Sequence, residues 1–312
     1  MTLRKRHPRR APRTVREHWR RTTRRFAAAR LAFGHGTASA RDEAAWLVCH
    51  VLGIPFDRLD AVLERPLAAA RASRLDALAG RRIASRVPLA YLLGEAWLCG
   101  HRFHVDERVI VPRSHIAELL CEGLEPWLPA APRVVRVLDM CTGSGCLAIL
   151  AALALPGSRV DAVDVSAAAL AVARVNVTGY GLGRRVRLIR SDLFAALAGQ
   201  RYDVVVANPP YVDARAMGAL PEEYRREPAL ALAGGGDGLD VVRRILTAAP
   251  DHLTERGVLI VEIGANRRAL EAAYPRLPFT WLDTRAGDEQ VFLLHRADFR
   301  DPATEPVARA RG

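Results

Sequence analysis

Asn208, Pro209, Pro210 and Tyr211 follow directly after the hydrophobic run YDVVVA (residues 202–207), which predicts a buried strand. The NH2 group of an amide or conjugated amine is a poor nucleophile because its lone pair is delocalised into the adjacent π system. If the Asn208 side-chain oxygen and the Pro209 carbonyl each accept one N–H, the lone pair is aimed at an incoming electrophile. The prolines suit this task because they fix φ at about −65° and offer no competing N–H. The Tyr211 ring can pack on the planar group, so the stretch predicts a site for a planar amine or amide.

A second stretch predicts a nucleotide site. Residues 139–145 (DMCTGSG) join a strand-like run to a helix-like run, and their glycines allow the backbone to approach a ligand at the helix start. Gly143, Gly145 and Ala148 also match the G-x-G-x-x-A spacing, which is weak evidence on its own. The next strand-like run ends at Asp164, nineteen residues after Gly145, where a carboxylate can accept both hydroxyls of a ribose.

A third strand-like run ends in SDLF, residues 191–194. In this register Asp192 can accept a hydrogen bond from an adenine amino group, with Leu193 against the ring. The alternative is that Asp192 caps a helix N-terminus, which is the commoner role for such a residue.

The elements that must position these residues follow from the hydrophobic pattern. From residue 134 onward, strand-like runs alternate with helix-like runs, which predicts an α/β fold with a mostly parallel sheet and helices on both faces. Residues 279–295 instead predict two strands joined by a glycine-containing turn, so the sheet should end in an antiparallel hairpin. Residues 15–125 are mostly helical in pattern, but residues 97–112 alternate about Gly100 and predict a β-hairpin.

Composition excludes several classes of protein. Half of the 312 residues are apolar, which is typical of a globular protein. The five cysteines are scattered and form no C-x-x-C pair, which argues against a disulfide framework or a zinc site and favours reduced thiols. The longest apolar run, near residues 147–155, is shorter than the ~20 residues that a membrane span needs. We therefore expect a soluble, cytoplasmic protein without a metal.

The formal charge of +12 belongs almost entirely to one end of the chain. Residues 1–30 hold twelve lysines and arginines against Glu17 alone, which leaves the remaining residues near neutrality. Such an arm can bind RNA or an RNA-rich particle through phosphates. Two other interpretations of the basic arm stay open. Lys5 is the only lysine, so the arginines can reflect genome base composition. Alternatively, a misplaced start codon can add a translated leader.

The order of these motifs resembles that of the protein-glutamine methyltransferases, S-adenosylmethionine-dependent enzymes with an N-P-P-Y motif. The resemblance covers about residues 25–296 and rests on seven stretches: GHGT, GEAWLCGHRFHVDERVIVPRS, DMCTGSGC, DAVDVS, SDLF, NPPYVDA and LPEEYRREPALALAGGGDGL. It is closer to the ribosomal-protein branch (PrmB-type) than to the release-factor branch. The latter usually has Gly at the position of Cys141, and Pro-Asp-Thr where this chain has Ser114, His115 and Ile116.

The resemblance implies a fold and a domain plan. The catalytic domain would be a Rossmann-like, seven-stranded class I methyltransferase domain over residues 131–296. A helical substrate-recognition domain would occupy residues 26–95, and a β-hairpin and linker residues 96–130. We expect a basic, disordered arm over residues 1–25 and a flexible tail over residues 297–312.

The resemblance also implies a reaction, in which a methyl group passes from S-adenosylmethionine to the side-chain amide of a glutamine in the third protein of the large ribosomal subunit. The implied catalytic residues are Asn208 and Pro209, and Asn208, Pro209, Pro210 and Tyr211 would hold the substrate amide. The implied cofactor-binding residues are Asp139, Cys141, Thr142, Gly143, Ser144, Gly145, Asp164, Asp192, Leu193 and Asn208. Methyl transfer would be a direct displacement that needs no general base.

Four alternatives remain at this stage. A release-factor glutamine methyltransferase shares the chemistry and most motifs. A nucleic-acid adenine methyltransferase also uses N-P-P-Y and would suit the basic arm. However, only about one hundred residues follow Tyr211 and all are needed to finish the sheet, so no obvious target-recognition domain remains. A non-catalytic ribosome-assembly factor would bind through the arm and use the Rossmann-like domain as a scaffold, but the intact cofactor register argues against it. A nicotinamide dehydrogenase would leave N-P-P-Y without a task.

Overall fold

The computed structural model describes residues 14–124, 127–128, 135–285 and 287–299. The chain divides into two units, one ending at Leu93 and the other beginning at Gly94.

The first unit is helical. Phe26, Leu47, Leu75 and Leu89 are fully buried in its core. From residue 14 onward, its helices are α1 (Val15–Ala28), α2 (Ala40–Leu52), α3 (Ala69–Ser85) and α4 (Leu89–Leu93), with short 3-10 turns at Phe56–Arg58 and Asp60–Val62.

The expectation of a disordered arm through residue 25 does not hold for the last part of that segment, because α1 begins at Val15. The Thr14 side chain accepts a hydrogen bond from the Glu17 N–H, and the Glu17 carboxylate accepts one from the Thr14 N–H. This capping box satisfies two backbone donors, and the helix buries Val15 and Phe26. The helical pattern that begins at residue 15 was therefore a better guide to this part of the segment than its arginine content. Residues 1–13 of the predicted arm lie outside the described residues.

The second unit opens with the predicted hairpin. Strands β1 (Glu95–Leu98) and β2 (His101–His104) pair antiparallel, with Glu95 opposite His104. A short helix, α5 (Ile116–Cys121), follows an irregular segment.

A seven-stranded sheet forms the centre of this unit. Its strand order is β5-β4-β3-β6-β7-β9-β8, and all strands are parallel except β9, which runs antiparallel to both β7 and β8. The strands are β3 (Arg136–Met140), β4 (Arg159–Asp164), β5 (Val186–Arg190), β6 (Tyr202–Ala207), β7 (Leu253–Glu262), β8 (Thr280–Trp281) and β9 (Val291–His295). The predicted α/β fold with an antiparallel end is confirmed.

Helices cover both faces of the sheet and bury two separate hydrophobic cores. The helices after α5 are α6 (Cys146–Ala154), α7 (Ala167–Gly179), α8 (Ala214–Ala219), α9 (Asp240–His252) and α10 (Arg267–Ala273), with 3-10 turns at Tyr224–Arg226, Ala229–Ala231 and Arg296–Phe299. Helices α5, α6 and α7 supply Leu120, Ile149 and Val177 to one core, and α9 and α10 supply Ile245 and Leu270 to the other.

The expectation of a flexible tail over residues 297–312 does not hold for residues 297–299. The last 3-10 turn follows β9 directly, and Phe299 packs against the core beside α9. Residues 300–312 lie outside the described part of the chain. Within the described residues, no helix is both long and apolar enough to cross a lipid bilayer.

Candidate functional site

The carboxyl ends of the central strands meet at one edge of the sheet. Met140 at the end of β3 pairs with Val163 of β4 and with Ala207 of β6. The chain leaves β3 and β6 toward opposite sides of the sheet, and ligands of open α/β sheets bind at such a switch point. A cleft of about 260 Å³ opens there.

Seven of the residues predicted from the sequence line this cleft. They are Cys141, Gly143, Asp164, Asp192, Leu193, Asn208 and Pro210. The other predicted residues are close by but are not part of the lining: Asp139, Thr142, Ser144, Gly145, Pro209 and Tyr211.

Several lining residues were missed. They include Val109, Ile110, Leu230, Ala231, Val241 and Arg244. The first two come from the segment between the hairpin and α5, and the next two from the connection between β6 and α9. That connection spans residues 208–239 and includes α8, so it is far longer than the roughly 2–6 residues that usually join a strand to a helix, and long connections often carry function. Its length is therefore the signal that could have found them.

The turn after β3 uses three left-handed backbone conformations. Cys141, Gly143 and Gly145 have φ angles of 58°, 55° and 79°. Such a conformation costs a residue with a side chain about 1–2 kcal/mol, and strain of this kind concentrates at ligand sites. Burial and the Asp164 charge raise the pKa of the Cys141 thiol, so the thiol stays protonated at neutral pH.

Gly143 and Gly145 have different roles in this turn. A Cβ atom on Gly143 would meet nothing within 4 Å, which leaves space for a ligand above the turn. A Cβ atom on Gly145 would lie 3.1 Å from the Cβ of Ala173 in α7. Gly145 therefore allows α6 and α7 to pack closely. This packing explains why the residue is a glycine, and no ligand contact is needed to explain it.

Asp139 supports the turn from beneath. It is fully buried, and its Oδ2 accepts hydrogen bonds from the Thr142 hydroxyl and, at 2.9 Å, from the Ala148 N–H. Its Oδ1 has no hydrogen-bond partner among the described residues. Burial raises the pKa of Asp139 to about 7, although both donors oppose the shift.

Asn176 in α7 joins the turn to the hairpin. Its side-chain N–H groups donate to the carbonyls of Ser144 and His104, each at 2.9 Å, and its oxygen accepts from the His104 N–H at 2.7 Å. Asn176 is buried, and it fixes the Ser144 peptide in place. Nothing in its sequence context indicates this task.

Asp164 ends β4 and faces the cleft. Its two oxygens accept 2.9 Å hydrogen bonds from the N–H groups of Gly143 and Ser166. These bonds fix the carboxylate plane and leave lone pairs for hydroxyl donors of a ligand. Burial raises the pKa of Asp164, and the N–H donors oppose that shift.

Asp192 and Leu193 follow β5 at the far end of the cleft. The Asp192 carboxylate accepts a 2.8 Å hydrogen bond from Arg244, and both side chains are 55% exposed. Neither Asp192 nor Leu193 caps a described helix. Leu193 has a φ of 49°, and it presents an apolar wall to the cleft. Arg244 was not anticipated from the sequence.

Asn208 and Pro209 present two acceptors that nothing else in the described chain uses. Neither the Asn208 side chain nor the Pro209 carbonyl takes part in a hydrogen bond with another described residue. Pro209 is buried, whereas Asn208 is half-buried and lines the cleft.

Tyr211 is held on three sides. Its hydroxyl donates to Oε1 of Glu262 at 3.2 Å, and its carbonyl accepts from the Asn266 side chain at 2.8 Å. A Cβ atom on Gly264 would lie 2.6 Å from the Tyr211 ring, so the glycine lets the ring lie against the backbone after β7. Burial, followed by the Glu262 charge, raises the pKa of Tyr211.

Glu262 is the centre of a buried cluster behind Tyr211. Its Oε2 accepts from the Ser114 hydroxyl at 2.6 Å and from the His115 N–H at 2.8 Å. Burial raises the pKa of Glu262, and these donors oppose the shift. The cluster ties the start of α5 to the end of β7 and to the N-P-P-Y turn.

An ion pair joins the two outer walls of the cleft. Arg113 donates to both oxygens of Glu227, at 2.6 and 2.7 Å, and the Glu227 side chain is fully buried. The Val111 N–H donates to the same carboxylate at 2.9 Å. Burial disfavours the Arg113 charge, but Glu227 more than compensates and raises the pKa of Arg113. Val109 and Leu230 therefore sit on segments that are cross-linked to each other.

Comparison with known proteins adds two family matches. A family model described as the methyltransferase small domain matches residues 117–237, and one described as the PrmC N-terminal domain matches residues 22–94.

Curated relatives match over most of the chain. The ribosomal protein uL3 glutamine methyltransferase of Bordetella pertussis is 58% identical over 283 residues, which cover 91% of this chain and 95% of the relative. The protein of the same name from Burkholderia pseudomallei is 53% identical and has the same coverage. That from Bradyrhizobium diazoefficiens is 50% identical and covers 91% of each chain.

The packing role of Gly145 can be measured. We expect Gly145→Ala to lower the free energy of unfolding by about 2–4 kcal/mol, because the new Cβ combines left-handed strain with a clash against Ala173. Gly181→Ala is the matched control, since Gly181 has a φ of 68° and open space at its Cβ position. Urea denaturation followed by circular dichroism should show the control losing only the strain energy. Equal losses in the two variants would refute the packing role.

Proposed function

The chain belongs to the family of ribosomal protein uL3 glutamine methyltransferases, and we propose on this premise that it methylates the side-chain amide nitrogen of a glutamine in ribosomal protein uL3. The observation that carries the proposal is the pair of unused acceptors on Asn208 and Pro209 beside the nucleotide end of the cleft. The common name of the relatives favours uL3 over a release factor or a nucleic acid as the substrate.

The cleft fits S-adenosylmethionine as the methyl donor. Asp164 would accept both ribose hydroxyls, because its carboxylate is fixed by two N–H groups and still has free lone pairs. Leu193 and Ile110 supply apolar walls for an adenine ring. The Asp192 Oδ2 accepts a hydrogen bond from Arg244, and its Oδ1 would accept one from the adenine amino group. The open space above Gly143 would take the methionine end.

The substrate amide would lie on the N-P-P-Y turn. The Asn208 side-chain oxygen and the Pro209 carbonyl would each accept one N–H of the glutamine NH2, and the Tyr211 ring would pack against the amide plane. These contacts turn the nitrogen lone pair toward the electrophile. When bound, S-adenosylmethionine supplies a methyl group on a positively charged sulfur.

Catalysis would then come from position and dipoles. The amide nitrogen gains positive charge as the new N–C bond forms, and the two oxygen dipoles of Asn208 and Pro209 stabilise that charge. The surplus proton leaves to water after transfer, so no side chain must act as a base. Four predicted residues would act indirectly, by shaping the turn beneath the methionine end. They are Asp139, Thr142, Ser144 and Gly145.

Part of the charged N-terminal segment is also available for a second contact. Arg20 and Arg24 lie one turn apart on the exposed face of α1, without a partner among the described residues. This supports the prediction that residues 1–30 touch RNA phosphates of an assembling ribosomal particle. Such a particle would place the enzyme in the cytoplasm.

The substrate is tested by offering labelled S-adenosylmethionine to the protein with three acceptors in parallel: purified uL3, a peptide release factor and duplex DNA. Mass spectrometry then locates the added methyl group. We expect one methylated glutamine in uL3 and no label in the other two. Label in the release factor or in DNA would overturn the choice of substrate.

The role of Asn208 is tested by Asn208→Ala. The variant should lose about 10²-fold to 10³-fold in kcat, as expected for one preorganised polar contact, while its affinity for S-adenosylmethionine measured by calorimetry changes little. Asp164→Asn should show the reverse pattern, with weaker cofactor binding as its main defect. Unchanged turnover in Asn208→Ala would exclude the proposed acceptor role.

Glu262 should act as a positioning residue through Tyr211. Glu262→Ala removes the acceptor of the Tyr211 hydroxyl, so we expect kcat to fall by about 10-fold to 100-fold with little change in cofactor affinity. Glu262→Gln should recover most of this loss, because its oxygen can accept from Ser114 and His115 while its NH2 donates to the Tyr211 oxygen.

Glu255→Ala, an exposed position on the same strand, is the control for this series. Thermal melts verify that the variants are folded. If the Gln variant were as slow as the Ala variant, the negative charge and not the position of the ring would be the important property.

A further inference from the structure

A second concave surface lies at the opposite edge of the sheet, where β3 and β4 begin and the loop before β5 ends. It is a groove of about 700 Å³ whose lining, among the described residues, includes five arginines and a single carboxylate. The charged residues of this arginine groove are Arg136, Arg159, Asp161, Arg184, Arg185 and Arg187.

This concentration of charge is unusual for the body of the protein. After residue 30 the chain holds thirty-four lysines and arginines and thirty-three aspartates and glutamates, so it is close to neutral. The arginine groove alone carries five positive charges against one negative charge. Charges of one sign in a concave surface reinforce each other's field and attract counter-ions.

Three of the five arginines are fixed by the protein. Arg187 pairs with both oxygens of Asp161 at 2.8 Å. Arg136 donates to the Gln200 side chain at 2.8 Å and lies 5.1 Å above the Tyr202 ring. Arg185 donates to three backbone carbonyls, at 2.6 to 3.2 Å, at the end of α6 and in the loop that follows it. These bonds hold the groove wall. Arg185 has no carboxylate partner among the described residues, and Arg136 shares Asp161, 3.8 Å away, with Arg187.

Asp161 cannot neutralise the positive charges of the other arginines in the groove. Its carboxylate already accepts from Arg187 and, at 2.8 Å, from the Tyr202 hydroxyl, and Arg136 lies 3.8 Å away. Arg159 and Arg184 are exposed and make no side-chain hydrogen bond or ion pair within the described part of the chain. Two complete guanidinium groups, each with five donors, therefore face solvent beside a fixed positive wall.

We propose that the arginine groove binds the phosphate backbone of RNA. Guanidinium groups match phosphate geometry and are weakly hydrated, so they are the side chains best suited to this contact. The choice of RNA over another phosphate source rests on the proposed function, because a ribosomal protein has ribosomal RNA as its neighbour. Contacts to phosphates alone carry no base information, so binding should be independent of sequence.

The groove is far enough from the cleft for both to be used together. Strand β4 starts at Arg159 in the groove and ends at Asp164 in the cleft. Five residue steps of about 3.3 Å place the two sites roughly 16 Å apart along the strand. RNA in the groove would hold the enzyme on a ribosomal particle without covering the methyl-transfer site.

The test uses the full-length protein and a fluorescein-labelled RNA hairpin of mixed sequence, with fluorescence anisotropy over a range of salt concentrations. The variant is Arg159→Ser combined with Arg184→Ser. Its matched control is Arg268→Ser combined with Arg276→Ser, which removes two exposed arginines at and just after α10. All proteins keep the basic N-terminal segment, so its contribution cancels in the comparison.

We expect the groove variant to bind the hairpin at least about tenfold more weakly at low salt, and the slope of log affinity against log salt to fall by about 2 in magnitude. The control variant should bind like the unaltered protein. Methylation of isolated uL3 should be equal in all three proteins. If the proposed function is wrong, only the methylation assay will give an unexpected result. If the groove proposal is wrong, only the anisotropy measurement will do so.

Two results would overturn the proposal. One is equal RNA binding by the groove variant and the control, which would assign any binding to other basic residues. The other is displacement of the RNA by inorganic phosphate beyond the effect of sodium chloride at equal ionic strength, which would indicate a site for a small free anion.

Discussion

The hydrogen-bonded register between β3 and β6 is the constraint on which the site depends. Met140 pairs with Ala207, so the turn at Cys141 and the side chain of Asn208 leave the sheet side by side. Side chains alternate between the faces of a strand, and a slip of one residue would reverse every side chain of β6. Buried residues on both faces, such as Val204 and Val205, prevent that slip. The packing of the two cores thus brings the turn after β3 and the unused acceptors of Asn208 and Pro209 together.

Two buried carboxylates give the cleft its rigidity. Asp139 lies beneath the turn after β3, and Glu262 lies behind the Tyr211 ring. Removing a carboxylate from water is costly, and the raised pKa values of both residues reflect that cost. For each carboxylate, two or more hydrogen-bond donors offset this cost, and these donors come from the segments that shape the cleft. A mechanism that relies on position and dipoles needs walls of this kind, because a displacement of about 1 Å can cost 10²-fold in rate.

The sequence predicted those parts of the site whose signals are local. Asp164 ends one hydrophobic strand, Asn208 directly follows another, and the glycine turn precedes a helix, so their places at the sheet edge followed from pattern alone. Glu262, Glu227 and Asn176 could not be found in this way. Their partners are 148, 114 and 72 residues distant in the chain, and only the folded sheet brings them together. Gly145 shows a different limit, because a helix-packing requirement and a ligand requirement select the same residue type.

The two ends of the sheet differ in charge balance. Among the described lining residues, the cleft combines two arginines with two aspartates, whereas the arginine groove has five arginines and one aspartate. The two sites lie roughly 16 Å apart along β4. The raised pKa of Asp164 has a local cause, its burial, which the nearby N–H donors oppose. A long-range attraction for polyanions at the groove and a short-range selection of an uncharged amide at the cleft would thus coexist on one domain, because their residues lie at opposite ends of β4.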